Sequence, residues 1–399
     1  MKTWGPVYLI AGLITVGASS LTFAAKKSNK VKKTEAVSAV AAVPSNAPKI
    51  LIGSTMALTG AHSADALAYR DGSKIYFDRI NNDGGIAGQH IENIVYDDGY
   101  DPKTALENVK KLVNEDKVFS LFQVYGDRDM RAIMPFCENN RVPIIAPISG
   151  SLFLRNPVQS NIFVVRTSDM SETAEMVKYL VDVRRIREIS LFAEDNAYGI
   201  AGKSALQFAL NKYKVKRASE GVIRQDLAEI DKAIDDIQAG NPKAVILWSD
   251  DKAAVAFIKR SLERKFKPYF LVSSFVTTEE FLRETAKLEA DIFASQPVPY
   301  IISQDSQFTQ GYLKDSKAAG KSPSTAGFEG YLNAAVLVEG LRRIGGKPDR
   351  AALTAALESM KTLDLGGVKL SFSPNNHEAI GKSTLVKVQA GMLIYLYYF

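Results

Sequence analysis

Few side chains in this 399-residue sequence are spaced for covalent chemistry. A phosphate loop needs a glycine five positions ahead of Gly-Lys-Ser, because backbone amides there wrap the anion. Gly202-Lys203-Ser204 has Ala197 at that position, and the tripeptides beginning at Gly320 and Gly381 have Asp315 and Asn376. None can form the turn. No strand-like run leads into G-x-G-x-x-G, and no G-x-S-x-G elbow presents a nucleophilic serine. His62, His90 and His377 are too scattered to start a metal site, so neither metal nor cofactor is expected. Cys137, in MPFCENN, reads as a small buried apolar residue. The acidic pairs Asp97-Asp98 and Asp250-Asp251 close apolar runs, where carboxylates cap helices and turns. Asp127, Asp129 and Asp250 are the acids best placed for proton transfer, and no nucleophile accompanies them. The inventory points to a binder, not an enzyme.

The elements that would position these residues alternate strictly. KILIGSTMA reads as a strand and Ser63 to Asn82 as a helix, stopped by Asn82-Asp83-Gly84-Gly85. IENIVYDD, TALENVKKLVNED, VFSLFQV, a helix over 127–140 and PIIAPIS follow. The pattern restarts after NIFVVR with a helix over 171–183, then EISLFAED, a helix over 198–213 and GVI. LAEIDKAIDDIQAG, AVILWSD, a helix over 251–264 and PYFLVSS complete it. Such alternation predicts parallel sheets covered by helices on both faces. Two successive units predict two lobes. Ligands of open α/β sheets lie outside the carboxyl ends of the strands, which here means between the lobes. Helices over 303–319 and 325–344 and the β-like runs VKLSF and STLVKVQ end the chain.

Composition is that of an ordinary globular protein, 46% hydrophobic and 24% charged. The formal charge of +6 is concentrated ahead of the fold, in Lys2 and the lysines at 26, 27, 30, 32 and 33. From Lys49 onward the chain is nearly neutral, which argues against a nucleic-acid surface. Lys2, the apolar stretch Val7 to Phe23, and Thr22 and Ala24 at small-residue positions read as a secretory signal peptide over 1–24. Residues 25–48 read as a flexible leader. A secreted monomer is the expectation.

The run ALTGAHSADALAYRDGSKIYFDRINNDGGIAGQHIENIVYDDGYDPKTALENVKKLV resembles the opening of the leucine/isoleucine/valine-type periplasmic binding proteins of ABC transporters. VPIIAPISGS, AEDNAYG and GFEGYLNAAVLVEGLRRIG are similar to later segments of the same family. The resemblance implies an α/β fold of type I, two Rossmann-like lobes joined by a three-segment hinge. It implies lobes of 49–165 plus 300–364 and 166–299 plus 365–399, with crossings near 163–170, 295–302 and 364–374. It implies closure over an amino acid or similar small solute, followed by delivery to permease subunits. A sensory protein of the same fold, acting through a separate partner, is the alternative.

The resemblance also implies site residues. The loop after the third strand meets the ligand carboxylate in the family; here it holds Tyr125, Gly126, Asp127, Arg128, Asp129 and Met130. Ser149, Gly150 and Ser151 keep hydroxyls and amides for that carboxylate. Tyr198 covers the ligand; Ser249, Asp250, Ser274 and Phe275 stand at strand ends for its ammonium and side chain. Leu58, Thr59 and His62 line the first loop. Glu329 and Tyr331 fit helix packing at the lobe edge. The charged loop at 127–129 departs from the family and predicts a more polar or more charged ligand, with Arg128 reading a carboxylate.

Overall fold

The computed structural model describes residues 48–224, 227–299, 301, 306–345 and 348–396. The segment read as a signal peptide, 1–24, lies outside the described residues, as do all of the leader but its last residue and part of the second crossing. Among the described residues no helix is long and apolar enough to cross a membrane.

The first lobe begins with β1 (Lys49–Met56), α1 (Ser63–Asn82), β2 (His90–Asp97), α2 (Pro102–Asn114) and β3 (Ser120–Phe122). It continues through α3 (Asp127–Asn139), β4 (Ile144–Ile145) and β5 (Ile162–Phe163). The five strands pair in parallel in the order β2-β1-β3-β4-β5. Runs such as KILIGSTM are buried nearly throughout because a parallel strand is covered on both faces. Asp101 starts α2: its carboxylate accepts from Thr104 N at 2.8 Å, with Pro102 at the first helical position.

The second lobe holds α4 (Asp169–Lys178), β6 (Ile189–Glu194), α5 (Ala197–Lys212), β7 (Glu220–Ile223), α6 (Ile230–Gln238) and β8 (Ala244–Trp248). Then come α7 (Asp251–Glu263), β9 (Tyr269–Val272), α8 (Glu279–Thr285) and β10 (Ile292–Gln296). The chain returns to the first lobe for α9 (Gln307–Ala318), α10 (Thr325–Ile344) and α11 (Arg350–Glu358). The short ribbon β11 (Leu363–Asp364) and β12 (Lys369–Leu370) follows, and β13 (Thr384–Gln389) and β14 (Met392–Tyr395) end the second sheet. That sheet runs β14-β13-β10-β9-β8-β6-β7, with β13 and β14 antiparallel at its edge. Two strands of the second sheet thus depart from the all-parallel expectation.

α10 is buried along most of its length against α1. The helices touch at glycines: a Cβ at Gly72 would lie 1.9 Å from the Gly327 carbonyl oxygen. Side chains there would push the helices apart.

The third crossing differs from its expected place at 364–374. Val368, Leu370, Phe372 and Ala379 join the first core, and Val164 N donates to His377 O at 2.8 Å. Ser383 Oγ donates to Ser171 O at 3.0 Å at the second lobe's edge. The chain therefore changes lobes over 377–383, beside the first crossing, and residues 365–379 belong to the first lobe. An alternating apolar run can pair with either lobe, and backbone pairing with Val164 decides it.

Candidate functional site

Two first-lobe loops are held by carboxylates. Asp97 accepts from Leu58 N at 2.9 Å, Thr59 N at 3.2 Å and Thr59 Oγ1 at 2.7 Å. Thr59 thus fastens its loop, and its hydroxyl is engaged there. His62 precedes α1, with its ring edge-on to Tyr100 at 4.6 Å and facing Asp250 and Asp251 of the second lobe. Burial lowers its pKa by more than those carboxylates raise it. Tyr125 is buried between Tyr69 and Tyr100. Gly126 has φ +87°, and a Cβ there would stand 2.2 Å from the Tyr100 ring, so this turn requires glycine.

Asp127 opens α3 and accepts hydrogen bonds from the hydroxyls of both Ser149 and Ser151, one on each carboxylate oxygen. Two residues expected to meet a ligand carboxylate therefore already hold a carboxylate of the chain. Gly150, between them, meets the hinge: its missing Cβ would fall 1.8 Å from Asp169 Oδ1. Arg128 is exposed, its guanidinium 5.3 Å above the Tyr100 ring. It lies outside the buried cluster.

From the second lobe, the Tyr198 hydroxyl shares a 2.5 Å hydrogen bond with Ser273 Oγ, and its ring packs edge-on to Trp248 at 5.0 Å. Asp250 caps α7, accepting from Ala253 N at 2.7 Å, which uses the carboxylate proposed for an ammonium partner. Ser249 is buried and donates to Asp250 O at 3.0 Å. Phe275 reaches across and packs on the first-lobe cluster of Met56, Ala57, Ala66, Tyr69, Tyr125 and Ile148. The lobes are closed on each other.

The hinge carries charges that motif reading passed over. Arg166, 1% exposed, lies 3.7 Å from Glu172 of α4 and 3.7 Å from Glu329 of α10, and donates to Ser274 Oγ at 2.7 Å. Glu329 is thus an ion-pair partner as well as a helix-packing residue. Tyr331 is fully buried in the first-lobe core, not at its edge, and donates to Asp315 Oδ2 at 2.6 Å. A cavity of about 30 Å³ beside this network is lined by Asp65, Tyr69 and Glu329 from one lobe and Ser274, Phe275 and Thr278 from the other. It has room for a water or two, against ~300–1,000 Å³ for drug-sized ligands. Charged residues directly after the apolar run NIFVV were the available signal for Arg166 and Asp169.

Asp129, fully buried in α3, has no hydrogen-bond partner on either carboxylate oxygen. Burial, with Asp98 adding to it, lifts its carboxyl to about 7. The unfolded chain loses this proton near ~3.9, so between about pH 4 and 7 the fold binds more protons and its stability declines as pH rises. Asp129→Asn is expected to add about 2–3 kcal/mol at pH 8 and almost nothing at pH 4. Urea unfolding at both values checks it. An equal effect at both would refute the assignment.

A profile of the periplasmic binding protein family matches residues 49–392. An amino acid binding protein of Pseudomonas aeruginosa is 24% identical over 261 residues, 61% of this chain and 66% of that one. A leucine-, isoleucine-, valine-, threonine- and alanine-binding protein of the same organism is 24% identical over 148 residues, 36% of this chain and 39% of that one. The chain thus spans less than two thirds of either curated relative. The crystal structure of a possible leucine/isoleucine/valine-binding protein from Rhodopirellula baltica superposes with TM-score 0.82 and 26% identity, covering 90% of this chain and 98% of that one. A fatty acid ABC transporter substrate-binding protein from Thermomonospora curvata shares the fold, with TM-score 0.75 and 19% identity over 88% and 92% of the two chains.

Proposed function

The chain belongs to the periplasmic binding protein family, and from that premise we propose that it captures a small polar solute, an amino acid or a relative of one, between its lobes. The periplasm is the proposed place, and the permease subunits of an ABC importer are the proposed receivers. Phe275 carries this reading. A second-lobe aromatic is packed into a first-lobe cluster, over the carboxyl ends of both sheets. Contacts made on both lobes exist only in the closed form, so a ligand that adds to them shifts the population toward closure.

A thermal-shift panel of amino acids, amines, amides and dicarboxylates tests it. A solute at ~100 times its dissociation constant adds roughly 2.7 kcal/mol to the stability of the form that binds it. Small-angle scattering with the responding solute should show the radius of gyration of any open population falling. A cooperative melt that no probe moves would count against solute capture.

Phe275→Ala should weaken binding of the responding solute roughly tenfold. It removes part of an aromatic side chain's burial from the closed form alone, about 1.5 kcal/mol. Titration calorimetry reads the change, and unaltered affinity would take Phe275 out of the closure.

A further inference from the structure

We propose that the solute presents a cationic nitrogen, as an amine, guanidine or quaternary ammonium, between Asp127 and Asp169 beneath Tyr198, in place of an amino acid's carboxylate. The proposal rests on the solute-capture reading and narrows it to a ligand class.

The hydroxyls of Ser149 and Ser151 are the groups that the family resemblance assigns to a ligand carboxylate. Both donate to Asp127 instead. The chain has built a carboxylate into the place where the ligand would bring one. A second carboxylate there would face Asp127 directly, and like charges at short range in a poorly solvated cleft repel strongly.

Asp169 is an independent observation. It is 4% exposed, and its Oδ1, pressed against Gly150, has no hydrogen-bond partner. A buried acceptor left this way is costly, and a donor cation between the lobes would satisfy it. Burial first, then Asp127, raises its carboxyl to about 8, and an added positive charge would relieve the Asp127 contribution.

Arg155 and Arg166 act on Asp169 through space, but neither hydrogen-bonds to its Oδ1. Arg155 donates to Ser149 O, Ser151 O, Arg166 O and Thr167 O and pairs with Glu378. Arg166 has free N–H groups, but Glu172 and Glu329 flank it at 3.7 Å each. Arg128 is exposed above Tyr100. Tyr198, 6.2 Å from Phe275 and at right angles to it, supplies an aromatic ring that suits a cation, while Arg166 already stands over the Phe275 ring.

The test uses the full chain at pH 8.5, where Asp169 is ionised, by thermal shift and then calorimetry, with putrescine, agmatine and choline against leucine and glutamate. A response to at least one cation is expected, with none to glutamate. Asp127→Asn and Asp169→Asn should each weaken that cation at least ~10-fold, with far-UV circular dichroism unchanged. Asp127→Ser should lose the cation and gain a response to leucine, because it frees both serine hydroxyls. If Asp169→Asn does not fold, Asp127→Asn decides alone, its residue being only partly buried. Binding of leucine or glutamate by the unsubstituted chain without a cation response would overturn the cation assignment and leave solute capture standing. Unchanged cation affinity in the folded asparagine variants would overturn the placement. Silence toward every probe from a cooperatively melting protein would overturn the capture reading beneath it.

Discussion

Arg166→Met is expected to cost the fold about 3–5 kcal/mol, read as a lower urea midpoint at an unchanged slope. Arg166 is a buried cation serving two buried carboxylates, one from each lobe: Glu329 on α10 and Glu172 on α4. Burial works against its charge, but Glu329, Tyr69 and Glu172 outweigh it and hold the guanidinium above its ordinary pKa. Glu172 is further tied to the second lobe, accepting from Ser274 N and Ser274 Oγ at 2.9 Å each and from the Ser295 hydroxyl. The Phe275 ring lies 3.9 Å from the guanidinium, so the same side chain supports the residue that closes the cleft. Methionine keeps much of the volume and removes the charge. It leaves two buried carboxylates in the hinge without their counter-ion, and this uncompensated charge dominates the cost. Neutralising the whole cluster, with Glu172→Gln and Glu329→Gln added, should recover a large part of it. A single substitution costing under ~1 kcal/mol would mean that water reaches these carboxylates.

How far the sequence discloses this arrangement depends on the range of the interaction. The alternating strands and helices are local patterns, and β1, α1 and β2 stand close to where apolar period and breaker residues place them. Asp250 as a cap is equally local, since its partner is three residues on. The pairing of Asp127 with Ser149 and Ser151 spans 22 and 24 residues and depends on how two loops meet at the ends of β3 and β4. Sequence reading placed all three in one site and still assigned the serines to a ligand. Residues 365–379 were placed in the wrong lobe for a related reason. Leu370 and Phe372 alternate as strand residues do, and period 2 says nothing about which core they enter. Asp169 and Arg155 carried no motif at all. Their importance comes from burial, and a charged residue beside an apolar run can as easily be solvated.

Arg155→Ala should be as damaging to stability as the Arg166 change, about 3–5 kcal/mol, and should also weaken solute binding at temperatures where the variant is folded. Its side chain is 5% exposed and acts as a brace between three parts of the chain. It donates to Ser151 O at 2.8 Å and Ser149 O at 3.2 Å, fixing the loop around Gly150. The same guanidinium donates to Arg166 O at 3.1 Å, at the first crossing. It pairs with Glu378 of the third crossing at 3.3 Å, and Glu378 also accepts from Ser168 N at 3.0 Å. Alanine would orphan these carbonyls and a partly buried carboxylate together. Lysine would be a poor substitute, because one ammonium cannot reproduce a planar fork serving carbonyls on two sides. Arg155→Lys should therefore recover less than half of the loss. The brace also sets the angle from which Ser149 and Ser151 meet Asp127, so affinity should fall at least ~10-fold in either variant. A double-mutant cycle with Glu378→Gln separates the contributions. Strong coupling in stability with little in binding would assign the ion pair to the hinge and the carbonyl contacts to the site. An Arg155→Ala protein with unaltered melting and affinity would show that the two crossings and the loop are held by packing alone.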